Sequence, residues 1–150
     1  MKMLSRISPH EIGHAEVAIH FGGRVLGIAL EPSPGGTIAA AIYEIPEKLS
    51  IQDRCTIFAA GSAGEVLAFR DYGAEGASRD RANIAALDDE ADYDSLVERA
   101  GAILRGRRAR FDRLSHLLRR RLLYTDIDLA VRELPTGKFG AFVLEEAEFA

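Results

Sequence analysis

His10-Glu11-Ile12-Gly13-His14 packs two imidazoles and a carboxylate into little more than one helical turn. Residues four apart stand one above the other on a helix, so His10 and His14 can converge on a single ion. Two histidines at this spacing with a glutamate after the first point to zinc. Glu11 then lies beside the ion rather than on it, placed to take a proton from water. That arrangement is the working part of a metallohydrolase.

Outward from this stretch, Ser8-Pro9 reads as a helix start, with Ser8 as cap and Pro9 at the first helical position. Ser8 and Glu11 also have capping-box spacing, which would tie Glu11 to the backbone and compete with a role as base. The helix should run through Ala15, Val17, Ala18 and Ile19 to Phe21 and stop at Gly22-Gly23. His20 fails as a third ligand. A continued helix carries it about 9 Å along the axis from His14 and onto another side, and Val17 stands where a chain turning back would need glycine. It is expected at the surface or in packing.

Val25 to Leu30 and Thr37 to Tyr43 flank Pro32-Ser33-Pro34-Gly35-Gly36, which reads as strand, turn, strand. The second strand, with Thr37, Ile38, Ala39, Ala40 and Ala41, is the candidate edge on which an extended peptide could lie through main-chain hydrogen bonds. A purely structural hairpin is the alternative. Ser50-x-x-Asp53 opens a second helix whose middle, Ala59-Ala60-Gly61-Ser62-Ala63-Gly64, is small enough to let the first helix approach closely. Asp71-Tyr72-Gly73 ends it. A loop then leads to Ser78-Arg79-Asp80, read as a new cap and first turn, where Asp80 is either a metal ligand or an acid favoured by the helix dipole.

Asp88 to Asp94 is too acidic to be core. Ser95-x-x-Glu98 reads as the cap of one long helix, with Leu96, Ala100, Ile103, Leu104, Phe111, Leu114 and Leu118 on its apolar face. Arg99, Arg105, Arg107, Arg108, Arg110, Arg113, Arg119, Arg120 and Arg121 form the other face, open to phosphates, to an acidic partner, or simply to water. No aromatic interleaving or nucleic-acid motif accompanies them. Thr125-x-x-Asp128 should start a short helix ending near Leu134-Pro135, and Phe139 to Leu144 a strand that docks on the body or pairs with another copy.

The composition fits one soluble globular domain: 150 residues, 47% hydrophobic, 28% charged, net charge −4, and a mean hydropathy of −0.03. The charge gives no general reason to bind nucleic acid. A single cysteine, Cys55, cannot make an internal disulfide, and no stretch reads as a signal peptide or membrane span, so a cytoplasmic protein is expected. The expected fold is mainly α with a small β-hairpin or sheet, a single domain over 1–150 with its core over about 3–134 and a tail over about 135–150.

Three blocks in order, His10 to Ala15, Ala60-Gly61-Ser62-Ala63-Gly64-Glu65 and Gly76-Ala77-Ser78-Arg79-Asp80, resemble the protease domain of FtsH-type ATP-dependent zinc metalloproteases. The resemblance implies a zincin-like helix packed on helices, zinc held by His10, His14 and Asp80, and Glu11 as general base. Glu65 is the rival third ligand, and it matches a family glutamate expected to support a ligand histidine. The implied activity is hydrolysis of peptide bonds in extended or unfolded chains. Ile12 and Pro9 depart from the family pattern, and neither its membrane segments nor a phosphate-binding Gly-rich Lys motif is present. Alone, the chain is therefore expected not to unfold substrates. A separate ATPase or adaptor and assembly into a homo-oligomer stay open, as do two other readings: a zinc- or peptide-binding module without turnover, and nucleic-acid binding through the arginine stripe.

Overall fold

In the computed structural model, the backbone is described for residues 2–33, 36–124 and 141–150, and side chains for residues 5–31, 39–124 and 141–150. The elements are α1 (Lys2–His20), β1 (Arg24–Ser33), β2 (Gly36–Glu44), α2 (Ile51–Phe69), α3 (Ala74–Leu87), α4 (Tyr93–Arg105), α5 (Arg108–Tyr124), β3 (Ala141–Glu145) and a 3-10 turn, Glu146–Phe149. The protein is mainly helical with a small three-stranded antiparallel sheet in the order β2-β1-β3. No described helix is long and apolar enough to cross a membrane. The short helix expected from Thr125 to Leu134-Pro135, and Phe139, lie outside the described residues.

The helices of the site pack closely because their facing residues are small. A Cβ on Gly13 would collide with the Ala60 carbonyl, and one on Gly64 with the carbonyl of Pro9, so α1 and α2 meet almost backbone to backbone. Ile12, Val17, Ile57, Leu104, Phe111, Leu114 and Leu118 bury around that contact. Burying each large apolar side chain stabilises by roughly 1.5–3 kcal/mol. The turn after α1 follows the expected stop: Gly22 has φ 85°, and the Gly23 N–H donates to the Ala18 carbonyl at 2.8 Å.

Several boundaries differ from the sequence reading. The first helix begins at Lys2, so Pro9 sits inside it and Ser8 is not its cap. An internal proline costs about 3 kcal/mol, and contacts upstream offset this: Arg6 bonds Glu65 and Asp71, and Ile7 packs on the core. Asp80 is not in a first turn, because α3 starts at Ala74 behind Gly73, whose N–H donates to Glu65 Oε1 at 3.1 Å. The single long helix is two, broken after Arg105 at Gly106 and Arg107. Its first half starts at Tyr93 with Asp92 before it, and Ser95 donates to Asp92 rather than capping. The second strand pair resolves the fate of residues 141–145: β3 docks on β1 of its own chain, Ala29 opposite Phe142 and Leu30 opposite Ala141. Phe149 is buried with the core, so this end is body rather than tail.

Candidate metal centre

His10 and His14 project from α1 toward α2 and α3, into space that exists because Gly61 and Gly76 lack side chains. A Cβ on Gly61 would strike both imidazoles, and one on Gly76 would lie 2.8 Å from His10 Cε1 and 2.9 Å from Glu65 Oε2. Asp80, well inside α3, closes the third side. Its Oδ2 lies 3.1 Å from His10 Nε2 and 3.2 Å from His14 Nε2, and the two Nε2 atoms are 3.2 Å apart. All three residues are buried.

The hydrogen bonds behind the imidazoles decide which atoms face inward. His14 Nδ1 lies 2.8 Å from the Ile57 carbonyl, which can only accept, so this nitrogen carries the hydrogen. His10 Nδ1 donates likewise to Glu65 Oε2 at 2.7 Å. Each neutral ring therefore turns a bare Nε2 lone pair toward the other and toward a carboxylate oxygen. Asp80 Oδ2 has no hydrogen-bond partner among the described residues. Three lone-pair atoms held this close repel one another unless a cation joins them. A tetrahedral zinc with bonds of about 2.0–2.1 Å sets neighbouring ligand atoms roughly 3.3 Å apart, close to the observed edges. The donor set fits zinc.

The electrostatics point the same way. Burial pushes His10 down, but the carboxylates of Asp80, Glu65 and Glu11 around it favour the charged ring, outweigh burial and raise His10 to about 10. Burial pushes Asp80 up, and the two histidines outweigh it and hold Asp80 down at about 2. A positive charge is favoured between these groups, whether a proton or a metal ion supplies it.

Glu65 is committed elsewhere. Besides His10, its carboxylate accepts from Arg6 at 3.2 Å and from the Gly73 N–H, and it does not face the triangle. It orients the ring of His10. Glu11 is not in its expected capping box. Its Oε2 instead accepts the Ala41 N–H at 2.8 Å. This amide points away from β1, so the open edge of β2 faces the site. Ala39, Ala40 and Ala41 line a cavity of about 660 Å³ together with His10, Glu11, His14 and Asp80. Thr37 and Ile38 continue β2 by backbone, opposite Pro32 and Glu31, and their side chains lie outside the described residues. His20 is exposed at the end of α1 beside Phe21.

The arginine stripe divides. Arg99 bonds Asp53 and Thr56, Arg107 and Arg110 face Glu16, Arg108 pairs with Asp112, and Arg121 holds Glu148 and the Val143 carbonyl. Five of the nine are thus taken up in the protein's own structure. The main-chain edge at Ala39 to Ala41 was read in the sequence, but the bond from the Ala41 amide to Glu11 and the place of Tyr43 in the cavity lining were not. The available signal was the alternation Ala39, Ala41, Tyr43 along one strand.

No protein-family model matches the chain, and a search of curated proteins finds no match.

Proposed function

We propose that the protein is a zinc-dependent peptidase of the FtsH-type kind, cleaving extended or unfolded polypeptide in the cytoplasm, with His10, His14 and Asp80 holding the metal. The observation that carries this reading is the buried triangle of ligand atoms with a glutamate and an open strand edge beside it. Zinc in that position supplies Lewis acidity, polarising a peptide carbonyl and making water a stronger acid. Glu11 is the base that takes the proton from water and returns it to the departing amine. The Ala41 N–H steadies one oxygen of Glu11 and leaves the other for water. The edge of β2 aligns the substrate: residues 39 and 41 turn their amide and carbonyl groups outward, where an extended chain of any sequence can pair with them. Glu65 and the Ile57 carbonyl hold both imidazoles in the tautomer that presents Nε2. An ATPase or adaptor partner and a homo-oligomer remain part of the same proposal.

The test is paired. The unaltered protein should bind one zinc per chain and cleave an unfolded protein, while Glu11→Gln should bind zinc equally and cleave at least a thousandfold more slowly, a loss in the range of an essential acid–base group. Equal cleavage by both sinks the mechanism. The Glu11–Ala41 contact also favours a second reading, a zinc and peptide-binding module in which the base is held by the strand. That reading predicts affinity for both without cleavage.

A further inference from the structure

Of the four tyrosines in the chain, three have their hydroxyls provided for. Tyr93 shares a hydrogen bond of 2.6 Å with Ser62, Tyr72 donates to Asp94 at 2.7 Å, and Tyr124 is 86% exposed to water. Tyr43 differs. Its ring is partly buried against the core, it lines the cavity shared by His10, Glu11, His14 and Asp80, and its hydroxyl has no hydrogen-bond partner among the described residues. It follows Ala41 by two positions on β2, so its side chain leaves the same face of the strand whose amide holds Glu11.

We propose that Tyr43 is a further catalytic residue, whose phenol O–H donates a hydrogen bond to the carbonyl oxygen of the peptide bond being cleaved. The proposal rests on the peptidase reading. A phenol is neutral at neutral pH, and burial pushes Tyr43 further up, so it keeps its proton to donate. Neutrality suits the place. A cationic side chain there would pair with Glu11 or Asp80 before substrate arrived, and an anionic one would repel the oxygen it should meet. As water adds to the carbonyl carbon, electron density moves onto that oxygen, and a donor already in place strengthens its bond most at that moment. No proton leaves Tyr43; the step needs only its hydrogen bond.

Tyr43→Phe removes the hydroxyl and keeps the ring. Zinc-loaded protein is compared in the unaltered, Tyr43→Phe and Glu11→Gln forms, with cleavage of a reduced, alkylated protein and binding of a phosphinic peptide as readouts. The tetrahedral phosphorus of that peptide imitates the attacked carbonyl. Expected for Tyr43→Phe are a kcat lower by about a hundredfold, a KM within about twofold, phosphinic-peptide affinity lower by a similar factor to kcat, and unchanged zinc content and Tm. Unchanged kcat and inhibitor affinity, with Glu11→Gln inactive, overturns the role of Tyr43 and leaves the peptidase reading standing. A change confined to KM, or a loss of zinc and Tm, overturns it too, because those mark a groove contact or a structural part. If the unaltered protein neither cleaves nor binds the phosphinic peptide, both readings fall.

Discussion

Helix α1 buries carboxylate chemistry on two sides, and the two sides are finished differently. Glu16 is fully buried, and the chain supplies its counter-charge: Arg110 Nε at 2.8 Å, with Arg107 at 3.6 Å. Arg110 also donates to the Phe149 carbonyl at 2.8 Å, so the cluster fastens α1 to α5 and to the 3-10 turn. Asp80 is almost as buried, yet its Oδ2 has no hydrogen-bond partner among the described residues and faces the Nε2 atoms of two imidazoles whose Nδ1 hydrogens point away. One carboxylate is closed by the fold. The other is left facing an incomplete set of partners, which is the signature of a site rather than of a brace.

The widest separation of the two should come from Asp80→Ala. Zinc affinity, measured by competition with a chelator, should fall by roughly a thousandfold, a share of the ~10–16 kcal/mol that protein zinc sites supply. Undiminished binding would erase the distinction and send the search to another ligand. Next in size, Arg110→Ala should lower the urea-unfolding free energy of metal-free protein by about 3 kcal/mol, because it leaves Glu16 buried with only the longer Arg107 contact. A drop below 1 kcal/mol would show that Glu16 is solvated after all.

Glu65→Gln should weaken zinc by about 10–100-fold while preserving the fold, the usual cost of loosening the group behind a ligand histidine. If it abolished binding as fully as Asp80→Ala, Glu65 would be a ligand itself. The smallest step is in pH. His10 is raised in the folded, metal-free protein to about 10, so its contribution is complete below its ordinary 6.5 and is lost as pH rises toward 10. Asp80, held down at about 2, contributes above its ordinary 3.8 and loses that as pH falls toward 2. Metal-free protein should therefore lose about 1 kcal/mol per pH unit above neutrality, and zinc should remove the slope by replacing the proton. Denaturant melts with and without zinc at pH 7 and 9 would show it; identical slopes would contradict it.

How much of this was legible follows from the range of each interaction. His10, Glu11 and His14 were readable because their geometry is local, set by the pitch of one helix. Gly61 and Gly64 were readable as a close-packing surface because smallness is visible without a partner. Asp80 could be named only by resemblance, since nothing local tells a ligand from an acid at a helix start, and its actual place inside α3 removes the dipole explanation. Pro9 misled because a local penalty was outweighed by Arg6 and Ile7 reaching across to other elements. The Glu16–Arg110 pair, 94 residues apart, the bond from the Ala41 amide to Glu11 and the place of Tyr43 beside it exist only after packing. The arginine stripe looked uniform for the same reason, since its partners Glu16, Asp53 and Glu148 lie elsewhere in the chain.

The placement of β3 has a consequence for the order in which the molecule comes together. Strand β1 can pair with β2 as soon as the hairpin between them is made, but its other side is filled by residues 141–145, more than a hundred positions later. Contacts so distant in sequence form late. Until they do, β1 presents an open edge carrying the apolar Ile28 and Leu30, the kind of surface that recruits other unfolded chains. The same late residues carry Phe149, whose carbonyl joins the brace on α1. During synthesis, then, α1 is braced only once the 3-10 turn has docked, more than a hundred positions after α1 itself has left the ribosome.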